Sequence, residues 1–163
     1  MLRSRVLRWP IERLLTKHAQ RVLDLAAEEA SREHAERVAP QHILLGLVKN
    51  RSGVGVHCLV ELGIDLDALG SELADVRHVD RPAMNARPAF DDRTEAVLQQ
   101  ARLQAHALRH RYIGTEHLML GLVEGDQGRA SDVLTRLGVT YSSLRDQVVN
   151  TLRNPPPPGW ARP

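Results

Sequence analysis

Apolar residues recur every three or four positions along most of the chain, which is the spacing of helices that bury one face. The segment from about Ile11 or Thr16 to about His34 is an example, and its apolar face carries Ala19, Val22, Leu23, Ala26 and Ala30. Valine and isoleucine do not alternate with polar residues over any long stretch, so the pattern does not favour a sheet. We therefore predict an all-α fold.

This pattern occurs twice. A shift of 75 positions aligns residues 14–69 with residues 89–144 without a gap, and gives fourteen identical positions that are nearly all apolar or glycine. His42 falls on His117, and the sequence Leu-Gly-Leu-Val begins three residues later in both copies. A tandem duplication of a small helical unit explains such a match.

The duplication predicts two pseudo-symmetric four-helix repeats that pack as one domain. We place the first repeat at residues 12–78 and the second at residues 90–153. The other segments are a basic arm at 1–11, a linker at 79–89 that contains two prolines, and a proline-rich tail at 154–163.

Single residues predict where several helices begin and end. Pro40 suits the first turn of a helix, where its missing N–H costs nothing. Asp65 and Thr115 are placed to cap helix N-termini, and Gly63 is placed to end a helix in the left-handed conformation. Asp91 and Asp92 stand at the positive end of the long helix that begins at Phe90 or Asp91. The helix after Pro40 is apolar almost all round, so we expect it to be buried.

Charge is unevenly distributed along the chain. The net charge is +2, but residues 1–21 hold six basic residues against one acidic residue. We interpret this segment as a solvated leader, and the alternative is a contact with nucleic acid or anionic lipid. No apolar stretch reaches the length of a membrane span, and arginines interrupt the start of the chain where a signal peptide would need an apolar run. We expect a cytoplasmic protein.

The sequence carries no catalytic motif. It lacks a glycine-rich phosphate loop, a G-x-S-x-G elbow and an H-E-x-x-H pair. Cys58 is the single cysteine, which excludes an intramolecular disulfide and a cysteine metal cluster, and we expect it in the core. His42 and His117 each stand near a helix start, where we expect them to bond to the backbone. We predict a binding module without a cofactor or metal rather than an enzyme.

Three motifs carry a resemblance to a known family. They are T-x-x-A-Q-x-V-L at 16–23, Q-H-I-L-L-G-L-V at 41–48 and Y-I-G-T-E-H-L-M-L-G-L at 112–122. Together they resemble the N-terminal domain of Clp/Hsp100 ATPases, in particular the ClpC branch, over residues 12–153. The resemblance implies a double four-helix repeat that docks substrates and adaptors.

The resemblance leaves two arrangements open, because no ATPase module follows the repeats in this sequence. In the first, the chain is a stand-alone adaptor, decoy or sequestering protein that acts with Clp proteolysis. In the second, it is the substrate-docking domain of a full-length ClpC-type ATPase unfoldase. Its implied partners are peptide or protein clients, Clp ATPase or protease components and cyclic-peptide antibiotics. The resemblance implies neither a membrane nor a nucleic-acid partner.

The ClpC resemblance also implies a phosphoarginine site in each repeat. A threonine at the start of the first helix helps hold the phosphate, and the glutamate of G-T-E-H holds the guanidinium. The first repeat keeps the threonine as Thr16, beside Lys17 and His18, but has Gln41 in place of the glutamate. This pairing predicts weakened phosphoarginine binding, because a neutral amide replaces the carboxylate.

The second repeat has the opposite departure from the family. It keeps the glutamate as Glu116 but has Asp91 in place of the threonine, with Arg93 close by. A carboxylate repels phosphate, so this pairing predicts binding of unmodified arginine or another cation. The alternative is that both sites are lost.

The resemblance implies one further surface, between the repeats, for cyclic peptides and adaptors. Phe90 falls where the family has an aromatic residue at the start of the second repeat. We expect Phe90 to line this groove, and a core position is the alternative.

Overall fold

The computed structural model describes residues 5–74 and 87–157, and its elements follow the predicted helical order. The first repeat and its leading segment contain α1 (Arg5–Arg8), a 3-10 turn (Ile11–Arg13), α2 (Lys17–Arg32), β1 (Arg37–Val38), α3 (Pro40–Asn50), α4 (Val54–Glu61) and α5 (Leu66–Leu73). The second contains β2 (Ala89–Phe90), α6 (Asp92–Ala107), α7 (Thr115–Gly125), α8 (Arg129–Arg136) and α9 (Tyr141–Arg153). In the described residues the strands are only two residues long, so the all-α prediction is confirmed.

Each repeat begins with a long helix packed against the buried helix that follows it. α2 packs on α3, and α6 packs on α7. The crossing is close because a glycine faces the neighbouring backbone. A Cβ at Gly46 would lie 2.5 Å from the carbonyl oxygen of Val22, and one at Gly121 would lie 2.7 Å from that of Val97. The identity of these glycines in the two copies therefore has a packing cause.

Most of the predicted helix ends are confirmed. Pro40 is the first residue of α3, and the Asp65 side chain accepts hydrogen bonds from the first turn of α5. Asp91, predicted only as a favourable charge at the start of the long helix, also caps α6: its side chain accepts a hydrogen bond from the amide of Thr94 at 2.7 Å. Gly63 ends α4 with a φ of 82°, a conformation that favours glycine.

Thr115 does not cap α7, contrary to the prediction. Gly114 holds the N-cap position, and Thr115 is the first helical residue. The Thr115 hydroxyl oxygen instead accepts a hydrogen bond from the amide of Gly55 in α4, at 3.0 Å. A Cβ at Gly55 would lie 2.5 Å from the carbonyl oxygen of Thr115, so this glycine lets the two repeats meet closely.

The two repeats also exchange short parallel backbone pairs. Leu15 pairs with Ile113, and Val38 pairs with Phe90. These two pairs are equivalent under the shift of 75 positions, because Leu15 corresponds to Phe90 and Val38 to Ile113. The duplication is thus a structural pseudo-symmetry as well as a sequence repeat.

The basic arm is not a solvated leader where the structure describes it. Val6 is fully buried, and α1 packs against α6 of the second repeat. Arg102 of α6 holds the end of α1, since its guanidinium donates to the carbonyl oxygens of Val6 at 3.0 Å and Trp9 at 2.7 Å. Burial of apolar side chains within the arm explains the difference from the prediction, which considered only its charge.

Some sequence predictions lie outside the described residues. These include the predicted end of α5 near Arg77, most of the linker at 79–89 and the end of the tail; α5 is described as far as Leu73. Within the described part of the chain, no single helix is long and apolar enough to cross a membrane. α3 and α4 pass that test only together, with a bend of 84° between them.

Candidate functional site

The residues predicted to form a site in the first repeat lie at opposite ends of a helix. α2 has 16 residues and is roughly 24 Å long. Thr16 caps its start, whereas Gln41 follows its far end. There Glu33, just past α2, accepts a hydrogen bond from His42 of α3 at 2.8 Å. Thr16 and Gln41 therefore do not share a site, contrary to the prediction, because they lie at opposite ends of α2.

The predicted pairing in the second repeat is wrong for the same reason. Asp91 and Arg93 lie at the start of α6, and Glu116 lies at the start of α7, beyond the other end of α6. The Arg93 guanidinium instead forms an ion pair with Asp126, at 2.5 Å, just after the C-terminal end of α7. Asp126 is buried and also accepts from the amide of Ser131, so Arg93 has a structural partner.

The cross-repeat pairs bring together a different set of residues. The Thr16 amide donates to the carbonyl oxygen of Ile113 at 3.0 Å, and the Ile113 amide donates to that of Leu14 at 2.7 Å. Because this pairing is parallel, α2 and α7 begin side by side from the same point. Thr16 of one repeat and Glu116 of the other thus flank one junction, which we call the α2–α7 site. It unites the two family residues that this sequence keeps.

The pseudo-symmetric junction brings together Asp91 and Gln41, the two residues that differ from the family motifs. The Asp91 amide donates to the carbonyl oxygen of Val38 at 3.0 Å, so α6 and α3 also begin side by side. This junction, the α6–α3 site, carries Asp91 and Gln41. It also carries exposed Arg37, whose guanidinium donates to the carbonyl oxygen of Phe90 at 3.3 Å. Two helix N-termini favour an anion, but Asp91 and Asp92 place two carboxylates there.

Glu116 is the most unusual charged residue of the α2–α7 site. It is only 3% exposed. In the described residues its carboxylate contacts the neutral ring of His117, whose Nδ1 lies 3.5 Å from one oxygen, and no cation lowers its pKa. Its carboxylate lies over Gly114, where a Cβ would be 2.4 Å from one oxygen. Burial raises the pKa of this carboxyl, although a hydrogen bond that it accepts from its own backbone amide acts in the opposite direction. A buried carboxylate without a cation is costly, and a cationic ligand would offset that cost.

The amino end of α2 supplies the other half of the site. The Thr16 hydroxyl accepts a hydrogen bond from the Ala19 amide at 3.1 Å and so caps the helix. Lys17 and His18 follow in the first turn, and both are exposed. The amides of a first helical turn point towards solvent and favour an anion, to which Lys17 adds a positive charge.

A chain of rings supports the start of α7. His117 Nδ1 accepts a hydrogen bond from the Gly114 amide at 2.8 Å, so its Nε2 carries the proton and donates to His110 Nδ1 at 2.7 Å. His110 in turn stacks on Tyr112, with the ring centres 4.9 Å apart and the planes 12° from parallel. His42 caps α3 through the Ala39 amide in the same way. The prediction that both histidines bond to backbone is confirmed.

The same hydrogen bonds argue against a metal. Ligand atoms of His110, Glu116 and His117 lie within 4.8 Å of one another. Both ring nitrogens of His117 are already used, one by a backbone amide and one by His110. Burial, with a smaller effect from His110, lowers the pKa of His117 to about 3, so the ring stays neutral. The donor set suits a rigid hydrogen-bonded support for α7 better than a metal centre.

Phe90 and Cys58 lie at the boundary between the repeats. Phe90 belongs to the β1–β2 pair, is half-buried and packs against the core. Its position therefore lies between the two alternatives, an accessible groove residue and a fully buried core residue. Cys58 of α4 is fully buried, as predicted. Burial raises the pKa of its thiol to about 11.

Comparisons with known proteins agree with this architecture. The model of the Clp repeat (R) N-terminal domain matches twice, at residues 14–82 and 89–159. The chain belongs to this family. The two matched ranges correspond to the two repeats. Each junction combines the start of a helix from one repeat with the start of a helix from the other.

Relatives of known name match over most of this chain. The negative regulator of genetic competence ClpC/MecB of Bacillus subtilis is 36% identical over 138 residues, which is 84% of this chain and 17% of that protein. The N-terminal domain of the chaperone ClpD of Arabidopsis thaliana superposes with a TM-score of 0.66 and 25% identity, covering 90% of this chain and 98% of that one. A ClpV N-domain in complex with a VipB peptide shares the fold, with a TM-score of 0.56 and 19% identity over 83% and 94% of the chains. The chain thus spans about a sixth of the ClpC relative.

Sequence reasoning missed Tyr112 and His110. Both stand just before the G-T-E-H motif, and a signal existed in the comparison of the copies. Under the shift of 75 positions, Tyr112 corresponds to Arg37 and His110 to Ala35, so the surroundings of Glu116 differ from those of Gln41.

Proposed function

We propose that this domain binds client polypeptides for Clp proteolysis through an arginine-type side chain, including phosphoarginine, at the α2–α7 site. The observation that carries the proposal is the buried carboxylate of Glu116, which lacks a cation and lies beside the start of α2. A guanidinium would pair with Glu116, and a phosphate on it would meet the amides after Thr16. The ClpV N-domain that binds a VipB peptide supports a peptide ligand for the shared fold.

The cross-repeat geometry changes what the sequence departures mean. If each site lay within one repeat, both would be incomplete. With the junctions as described, the α2–α7 site has the threonine and the glutamate, and the α6–α3 site has neither. We therefore expect one phosphoarginine per chain rather than two weak sites.

Calorimetric titration of the purified protein with phosphoarginine and, in parallel, with arginine tests the proposal. We expect saturable binding of phosphoarginine, and loss of at least about tenfold in affinity in Glu116→Gln, because a charged hydrogen-bonded pair is replaced by a neutral contact. Gln41→Ala at the pseudo-equivalent position is the matched control and should bind as the parent does. Absence of binding to both ligands would contradict the proposal.

The role within proteolysis is tested separately. Adding the domain to a Clp ATPase and protease that degrade an arginine-phosphorylated client distinguishes two roles. An adaptor accelerates degradation, whereas a decoy or sequestering protein slows it. In either case Glu116→Gln should abolish the effect. The predicted groove at Phe90, with its cyclic-peptide or adaptor ligands, stays a prediction, and a Phe90→Ala variant in the same titrations addresses it.

A further inference from the structure

Tyr112 is an exposed aromatic ring beside the buried carboxylate of Glu116. It is 38% exposed, whereas Glu116 is 3% exposed. One face of the Tyr112 ring lies on His110, and its centre is 5.5 Å from that of His117, to which it stands edge-on. The face opposite His110 is therefore the part of the ring that remains to meet a ligand.

The position of this ring is fixed from several sides. Tyr112 directly precedes Ile113. The Ile113 amide donates to Leu14 and its carbonyl oxygen accepts from Thr16, so both backbone groups are bound to the segment before α2. His110, on which the ring stacks, is itself held by the hydrogen bond from His117. A ring held in this way meets a ligand with little loss of conformational freedom.

His117 links the Tyr112 ring to Glu116: its ring centre is 5.5 Å from that of Tyr112, and its Nδ1 is 3.5 Å from a carboxylate oxygen of Glu116. The pKa of Tyr112 is raised, first by burial and second by the negative charge of Glu116. A cation that pairs with Glu116 on the solvent side would therefore be a neighbour of the Tyr112 ring. Guanidinium groups are planar and weakly hydrated, so they stack on aromatic faces while they donate in their own plane.

We propose that Tyr112 is a specificity-determining residue of the α2–α7 site: its exposed face stacks on a planar guanidinium whose N–H groups donate to Glu116. This inference rests on the proposed function and adds a selection for guanidinium over the ammonium of lysine. His110 acts as the positioning residue for the ring.

The α6–α3 site has no aromatic ring at the equivalent position. The residue equivalent to Tyr112 is Arg37, an exposed cation that would repel a second guanidinium, and the residue equivalent to His110 is Ala35. Selection for guanidinium therefore belongs to one junction only, and Arg37 provides a matched control position.

Titrations with Nα-acetyl-arginine amide, Nα-acetyl-lysine amide and phosphoarginine test the inference on the intact chain. We expect the parent protein and Tyr112→Phe to prefer the arginine probe over the lysine probe. In Tyr112→Leu, affinity for the arginine probe and for phosphoarginine should fall about five- to tenfold, and affinity for the lysine probe should change less than twofold. Arg37→Leu should leave all three affinities unchanged.

The outcomes separate this inference from the proposed function. Binding of both arginine ligands by Tyr112→Leu with parental affinity and selectivity would overturn the role of Tyr112 and leave the site in place. Absence of binding to any arginine probe by the parent would overturn both. Thermal unfolding of each variant verifies folding, and a ligand-induced shift of the Tyr112 ring resonances in NMR spectra, retained in Arg37→Leu, provides a second readout of stacking.

Discussion

At the scale of single residues, Glu116 shows how a binding residue carries a cost for the fold. Its carboxylate is buried against Gly114, and the ring of His117 beside it is neutral because both nitrogens are used in hydrogen bonds to the Gly114 amide and His110. A charged side chain that serves ligand binding often makes the folded protein less stable than a neutral side chain at the same position would. The first repeat has the neutral counterpart, Gln41, at the equivalent position.

We predict that Glu116→Gln raises the free energy of unfolding at pH 7 by about 1 kcal/mol while it removes ligand binding. Burial raises the pKa of Glu116 in the folded protein above its ordinary value of 4.5. The folded state therefore holds this proton more tightly than the unfolded state, and the carboxyl makes folding less favourable as the pH rises through that window.

Urea denaturation at pH 7 and at pH 4.5 measures this effect. The advantage of Glu116→Gln should be largest at pH 7 and smaller at pH 4.5, which lies below the raised pKa of the parent carboxyl in the folded protein. The reciprocal change, Gln41→Glu, should destabilise the protein at pH 7, and by less, because Gln41 is only half-buried. Equal stability of Glu116→Gln and the parent at both pH values would show that the buried charge has no net cost.

At the scale of elements, two helix crossings depend on glycine. We predict that Gly46→Ala lowers the free energy of unfolding by about 2 kcal/mol, because its Cβ would lie 2.5 Å from the carbonyl oxygen of Val22 and would push α2 from α3. Gly121→Ala should act in the same way on α6 and α7. Backbone at this distance cannot rotate away as a side chain can.

Gly70→Ala in α5 is the matched control. It is also a helical glycine, but its Cβ would meet only a γ-methyl of Val48, at 3.3 Å. A gain in helix propensity opposes this contact, so we expect a change within about 1 kcal/mol of zero. Urea denaturation of the three variants tests the comparison, and comparable losses in all three would mean that helical glycines matter here through propensity rather than through close crossing.

Local chemistry made most helix ends predictable. Pro40, Gly63 and Asp65 act through their own dihedral angles or side chains, which depend on few neighbours. Thr115 was predicted as a cap and is not one, because its hydroxyl receives the amide of Gly55, sixty residues earlier in the chain. A residue with two possible partners cannot be assigned from its local sequence alone.

At the scale of the whole molecule, the pseudo-symmetry decides which site residues meet. The family resemblance implied one site within each repeat, because each copy carries one threonine position, Thr16 or Asp91, and one glutamate position, Gln41 or Glu116. The pairing of Leu15 with Ile113 spans the two copies and could not be read from periodicity. The family motifs were found correctly, whereas their assembly into a site needed the tertiary structure.

This assembly predicts that the second junction can be converted into a binding site. The triple variant Arg37→Tyr, Gln41→Glu and Asp91→Thr places the α2–α7 residues at the α6–α3 junction. Threonine at position 91 should still cap α6, since Thr16 caps α2 through the equivalent amide. We expect calorimetry with phosphoarginine to give one site per chain for the parent and two for the variant.

A companion variant separates the two junctions. Adding Glu116→Gln to the triple variant should leave one phosphoarginine per chain, now bound at the converted junction. If the triple variant still binds one ligand, the support that His110 gives to Tyr112 is the remaining difference, and Ala35→His should then supply it. Two sites in the parent protein would instead mean that Asp91 and Gln41 tolerate phosphoarginine, so that the charge argument for a single site fails.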